Sequence, residues 1–100
     1  AGQYDQALLV LETLADMVPS YQPQFAELLR LTGRLDAAIT VYNGYLSQAP
    51  GDLVCMLRLG KLYQSIGSKE AARTAFDYVL QQEPENTAAR ALLEQLENAA

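Results

Sequence analysis

The chain has 100 residues, half of them apolar, and carries a net charge of −5 from 12 carboxylates against 7 Lys and Arg. That length bounds it to one small domain, and the acidic balance counts against binding nucleic acid or an anionic membrane surface through bulk electrostatics. With no His and a single Cys, general acid–base work and Ser-His or Cys-His nucleophiles lack their usual partner. A zinc site or an internal disulfide has too few ligands.

Abundant Ala, Leu and Gln with few β-branched residues favours helix. This Lys-poor style suggests a bacterial source. No uninterrupted apolar run approaches the ~18 residues of a membrane span, and no basic segment precedes an apolar one as in a signal peptide. The chain can still be an excerpt of a longer protein, so cytoplasm and periplasm both stay open.

The first predicted helix runs from about Tyr4 to Met17. It is apolar at Ala7, Leu8, Leu9, Val10, Leu11, Leu14, Ala15 and Met17, around most of its girth, which calls for burial on two sides. A second helix is expected from Pro23 to Thr32, since the fixed φ and missing N–H of Pro23 suit a first turn and no later one. Leu35 to Gln48 follows, with Asp36 placed favourably for the helix dipole. Asp52 is a good N-cap for a helix ending at Ser65, then Lys69 to Gln82. Asn86 caps a last helix, Thr87 to Asn98, whose Ala89, Leu92, Leu93 and Leu96 form one apolar stripe.

Leu53 to Pro84 has an informative order of small and large residues: Met56-x-x-Leu59-Gly60-x-x-Tyr63, the break at Gly67, then Ala72-x-x-x-Phe76 and a closing Pro84. Slid back by 34 residues, Pro84 falls on Pro50, Phe76 on Tyr42, Ala72 on Ala38, Gly67 on Gly33, Tyr63 on Leu29 and Leu59 on Phe25. Gly at the turn allows positive φ, Ala at the crossing lets helix axes approach, the aromatic fills the space between pairs, and Pro ends the helix. The stretch resembles the tetratricopeptide repeat, with Met56 where the family usually has Trp. Pro19 to Pro50 spans 31 residues rather than 34, and the shortfall is assigned to the start of the second helix.

The resemblance implies an all-α, right-handed α-α superhelix (solenoid) of antiparallel helix pairs, about six helices in all. Its expected parts are a half repeat at 1–19 (second helix only), a repeat with a shortened first helix at 20–52, a full repeat at 53–86 and a capping helix at 87–100. It also implies a non-enzymatic scaffold or adaptor that holds a peptide or extended protein segment in a concave groove lined by the first helix of each pair. The matching residues are Gln24, Glu27, Arg30 and Leu31; Val54, Leu57, Arg58, Lys61 and Gln64; and Ala88, Ala91, Leu92 and Gln95. Arg30, Arg58 and Lys61 on this list suggest an acidic or C-terminal carboxylate ligand.

Family members that clamp the acidic C-terminus of heat-shock chaperones use Lys, Asn and Arg at set groove positions. Pro23 and Glu27, Leu57 and Lys61, and Ala88 and Leu92 stand there, which argues against that activity. The related pentatricopeptide RNA readers are disfavoured by the missing basic stripe. Two alternatives remain: self-assembly through an open first helix, at Leu8, Leu9 and Val10, and an accessory region of a larger enzyme or assembly machine. No catalytic residue, metal ligand or cofactor is expected. Glu83 with Glu85, and Glu94 with Glu97, read as solvated surface, and Cys55 as an apolar filler.

Overall fold

A computed structural model describes residues 2–98. Among them are six α-helices: α1 (Gly2–Met17), α2 (Gln22–Leu31), α3 (Leu35–Gln48), α4 (Leu53–Ser65), α5 (Lys69–Gln82) and α6 (Thr87–Asn98), with a 3-10 turn at Pro19–Tyr21. The chain is all-α, and neighbouring helices pair antiparallel. It divides into two compact units, one ending at Ala49 and holding α1 to α3, the other beginning at Pro50 and holding α4 to α6.

Helix boundaries follow from local chemistry. The Asp52 carboxylate accepts the Cys55 N–H at 3.1 Å, and the Asn86 side-chain oxygen accepts the Ala89 N–H at 2.9 Å. Each satisfies a donor the first helical turn leaves orphaned. α2 and α4 end alike, in glycines with φ of 81° at Gly33 and 83° at Gly67. In both, the next residue donates back across the turn, Arg34 N–H to the Leu29 carbonyl and Ser68 N–H to that of Tyr63, each at 2.8 Å. These paired bonds close the last turn only when the glycine is left-handed, and they reverse the chain into the following helix.

The second helix lies close to where it is expected, and a 3-10 turn at Pro19–Tyr21 precedes it. Pro19–Tyr21 and Gln22–Leu31 together match Leu53–Ser65 residue for residue at 34 positions' remove, so no helical residue is lost. The shortfall lies in the connection, where Val18 alone does what Ala49 to Asp52 do later. Pro23 explains the 3-10 winding. An α-helix begun at Pro19 would need the absent Pro23 N–H to reach the Pro19 carbonyl; instead the Gln22 N–H donates to it, one residue earlier. α2 proper is therefore three residues shorter than α4, 10 against 13.

Each unit has its own core. In the first, Leu8 and Ala15 of α1, Ala26 and Leu29 of α2, and Ala38, Ile39, Tyr42 and Leu46 of α3 are buried. The second is built on Ala72, Phe76 and Leu96, with Leu57, Tyr63, Leu92 and Leu93 packed against them. There α4 and α5 approach so closely that a Cβ at Gly60 would stand 2.8 Å from Cδ1 and 3.0 Å from Cζ of Phe76, and nearer still to Cε1. The ring of Phe76 thus occupies the space the missing side chain leaves. Ala26 and Tyr42 take the equivalent places in the first unit, both fully buried.

Candidate functional site

In the second unit α4 turns one face to the core, through Cys55, Leu59 and Leu62, and leaves another open. Helical spacing places Val54, Leu57, Arg58 and Lys61 together on the open face. Val54 is 60% exposed, and Arg58 and Lys61 are exposed. Leu57 is half-buried and rests on the Phe76 cluster, as does Leu92 of α6, so the two first-type helices share an apolar floor. Gln64 is half-buried one turn beyond Lys61; on α6, Ala88, Ala91 and Gln95 are exposed.

The cations differ in what they are free to do. Arg73 pairs with Glu70 at 3.2 Å and lies 3.5 Å from Glu97, Arg90 donates to the Pro84 carbonyl, and Arg34 lies 3.7 Å from Asp5. Among the described residues Arg58 and Lys61 form no ion pair. At the start of α4 a shallow hollow of about 320 Å³ brings Asp52, Val54 and Leu57 beside Glu83 and Asn86. The open face of α4 therefore runs from carboxylates beside its first turn to cations from its middle onward. Sequence spacing does not bring Glu83 and Asn86 to this face, because only folding of the α5–α6 connection carries them to α4.

In the first unit the expected residues are less available. Gln24 is exposed, but Glu27 is tied to two partners, accepting from Arg30 Nε at 2.7 Å and from the Tyr42 hydroxyl at 3.3 Å. The bond to Glu27 raises the Arg30 pKa above its ordinary value and occupies its guanidinium. Leu31 is exposed. On α1, Leu8, Leu9 and Val10 do not share a surface: Leu8 is 6% exposed and turns into the core, whereas Leu9 is 67% and Val10 58% exposed.

Cys55 is buried, and that burial, with Asp52 adjoining, pushes its thiol up to about 12. A thiol held protonated is a poor nucleophile, in keeping with its place as a core filler. Among the described residues no three carboxylate or Cys side chains gather as a metal site, and no helix is long and apolar enough to cross a membrane.

Two overlapping stretches, residues 29–96 and 1–52, match family descriptions of the tetratricopeptide repeat. The chain belongs to the tetratricopeptide repeat family. A solved structure of the first TPR of Spaghetti (RPAP3) bound to the HSP90 peptide SRMEEVD matches 98% of this chain and 80% of that chain with a TM-score of 0.84, at 21% identity. Protein CTR9 homolog of Arabidopsis thaliana is 34% identical over 93 residues, 88% of this tetratricopeptide chain. The chain spans 8% of the length of that curated relative.

Proposed function

We propose that this tetratricopeptide domain is a non-enzymatic protein-binding scaffold that takes an extended, acidic segment of a partner along the open face of α4. The observation that carries the reading is the pairing of an apolar floor at Leu57 with Arg58 and Lys61, two exposed cations that form no ion pair among the described residues. An anionic segment is attracted to them without first breaking an internal salt bridge. The acidic first turn at Asp52 and Glu83 repels the same charge, so the ligand's carboxylate end lies beside Arg58 and Lys61 and its more neutral part over Val54. Gln64 and Gln95 supply polar contacts.

The RPAP3 domain binds a peptide ending in Glu-Glu-Val-Asp, which lends support to an acidic ligand class. That specificity is not carried over. Pro23, Leu57 and Ala88 cannot donate to a terminal carboxylate, and Glu27 at a clamp position opposes one.

Backbone amide shifts of ¹⁵N-labelled protein, titrated with an acidic peptide of about eight residues carrying a free C-terminus, test the proposal. Shifts should centre on Leu57, Arg58 and Lys61. Arg58→Glu/Lys61→Glu should weaken binding at least about tenfold, the equivalent of ~1.4 kcal/mol, and raised salt should weaken it too. Binding that ignores both the charge reversal and the salt would refute it.

A further inference from the structure

The hollow at the start of α4 differs from the same place elsewhere in the repeat. Slid by 34 residues, Asp52 falls on Val18 and on Asn86, and Glu83 on Ala49, so a pair of carboxylates is not part of the repeat pattern. Val54 falls on Ser20 and on Ala88, and all three are exposed. The position is open in each case, but only α4 fills it with a large apolar side chain. Capping accounts for Asp52, which accepts the Cys55 N–H, and does not account for Glu83. The Glu83 carboxylate accepts from the Asn86 side-chain amide at 2.9 Å, Asn86 is itself held by its bond to the Ala89 N–H, and Glu83 forms no ion pair among the described residues. The hollow of about 320 Å³ thus joins the apolar surface of Val54 and Leu57 to the negative charge of Asp52 and Glu83.

That combination suits a long cationic side chain, which lays its methylene stem on apolar surface and keeps its charged head among acceptors. The volume is at the bottom of the ~300–1,000 Å³ that holds a whole small ligand, and no third carboxylate or Cys side chain gathers among the described residues to complete a metal site. A wholly acidic segment would set one of its own carboxylates against Glu83, which repels it. We propose, on the reading that α4 holds an extended segment of a partner, that this segment is bipolar: a Lys or Arg enters the hollow beside Asp52 and Glu83 while its carboxylates lie against Arg58 and Lys61. Helix rise sets the spacing. Arg58 and Lys61 follow Asp52 by six and nine residues, about 9 and 14 Å along the axis at ~1.5 Å per residue. An extended chain covers that in about three to four residues at ~3.3 Å each.

The probes are peptides of about eight residues ending in two Glu with a free C-terminus. One has Lys about four residues before the first Glu, a second has Gln in its place, and a third has the Lys moved next to the Glu pair. Binding is read by amide shifts on the whole ¹⁵N-labelled chain. Wild type should bind the first peptide at least about threefold more tightly than the second, the scale of one or two exposed ion pairs, and the third no more tightly than the second. Asp52→Asn/Glu83→Gln removes both charges but keeps a capping side chain and an acceptor for Asn86. It should leave the circular dichroism unchanged, retain the Gln peptide and bring the first two peptides to equal affinity. Equal binding of those two peptides to wild type, with shifts still centred on Leu57, Arg58 and Lys61, would overturn the bipolar ligand and leave the α4 face standing. A preference for Lys that survives in the Asp52→Asn/Glu83→Gln variant would overturn it as well, since the cation would then lie elsewhere. No shifts on α4 with any of the peptides would overturn the face itself, and the bipolar ligand with it.

Discussion

Two glycines in helix interiors should respond to the same substitution with opposite sign. Gly44, in α3, has nothing within 4 Å of where a Cβ would stand, so Gly44→Ala should gain up to about 1 kcal/mol from helix propensity and a less flexible unfolded chain. Gly60→Ala has the same gain available, but its methyl enters the ring of Phe76, 2.8 Å from Cδ1 and 3.0 Å from Cζ. Phe76 is fully buried and cannot swing into solvent, so α4 must move away from α5. Overpacking of this kind costs about 1–3 kcal/mol, which leaves a net loss of up to ~2 kcal/mol once the propensity gain is subtracted. At this chain length that lowers the melting temperature by roughly 4–8 °C per kcal/mol. Urea and thermal unfolding followed by circular dichroism measure both variants. In a Phe76→Leu background the added methyl should cost less, because the ring it meets is gone. A Gly60→Ala protein as stable as Gly44→Ala, or a cost unchanged by Phe76→Leu, would refute the close-approach explanation.

Other consequences can be measured the same way. Gly33→Ala and Gly67→Ala force a side chain into positive φ and should each cost about 1–2 kcal/mol, although neither position is crowded. Asp52→Ala and Asn86→Ala remove the N-cap bonds of α4 and α6 and should each cost about 1 kcal/mol in urea unfolding. Because the folded state holds the Cys55 thiol protonated to about pH 12 against an ordinary value of 9.0, stability attributable to it is complete below pH 9. It declines as pH rises through that window, where the unfolded thiol ionises first; Cys55→Ala should flatten that part of the pH profile. At pH 8 iodoacetamide should label Cys55 slowly in the native protein and quickly in urea.

Helix ends were legible because their chemistry is local. Asp52, Asn86, Gly33 and Gly67 announce caps and turns by residue type, and the 34-residue recurrence of Phe76 at Tyr42 exposes the pairing. The 3-10 turn at Pro19–Tyr21 was not anticipated. Pro23 marks where the α-helix can start, and the 3-10 turn before it follows from the hydrogen bond Pro23 cannot make to Pro19. Burial on α1 was harder still. Leu8, Leu9 and Val10 are consecutive and equally apolar, and only the direction from which α2 packs decides that Leu8 turns inward. On the candidate site, the exposed face of α4 follows from spacing alone. The Glu27–Arg30 pair is an i,i+3 contact within α2, but the Tyr42 hydroxyl that also holds Glu27 arrives from α3, and the approach of Glu83 to Val54 depends on a connection the spacing does not describe. Source was not legible in composition, since a lean toward Ala, Leu and Gln reports helix as much as lineage.

The central claim, that the open face of α4 holds a protein partner, is tested most directly by affinity capture from a lysate of the source cell. Wild type is compared with Leu57→Ala/Arg58→Glu/Lys61→Glu, both confirmed as folded by circular dichroism, and partners are identified by mass spectrometry. The account predicts partners held by wild type and lost from the folded variant. An unchanged set of partners would contradict it and place binding on another surface of the domain.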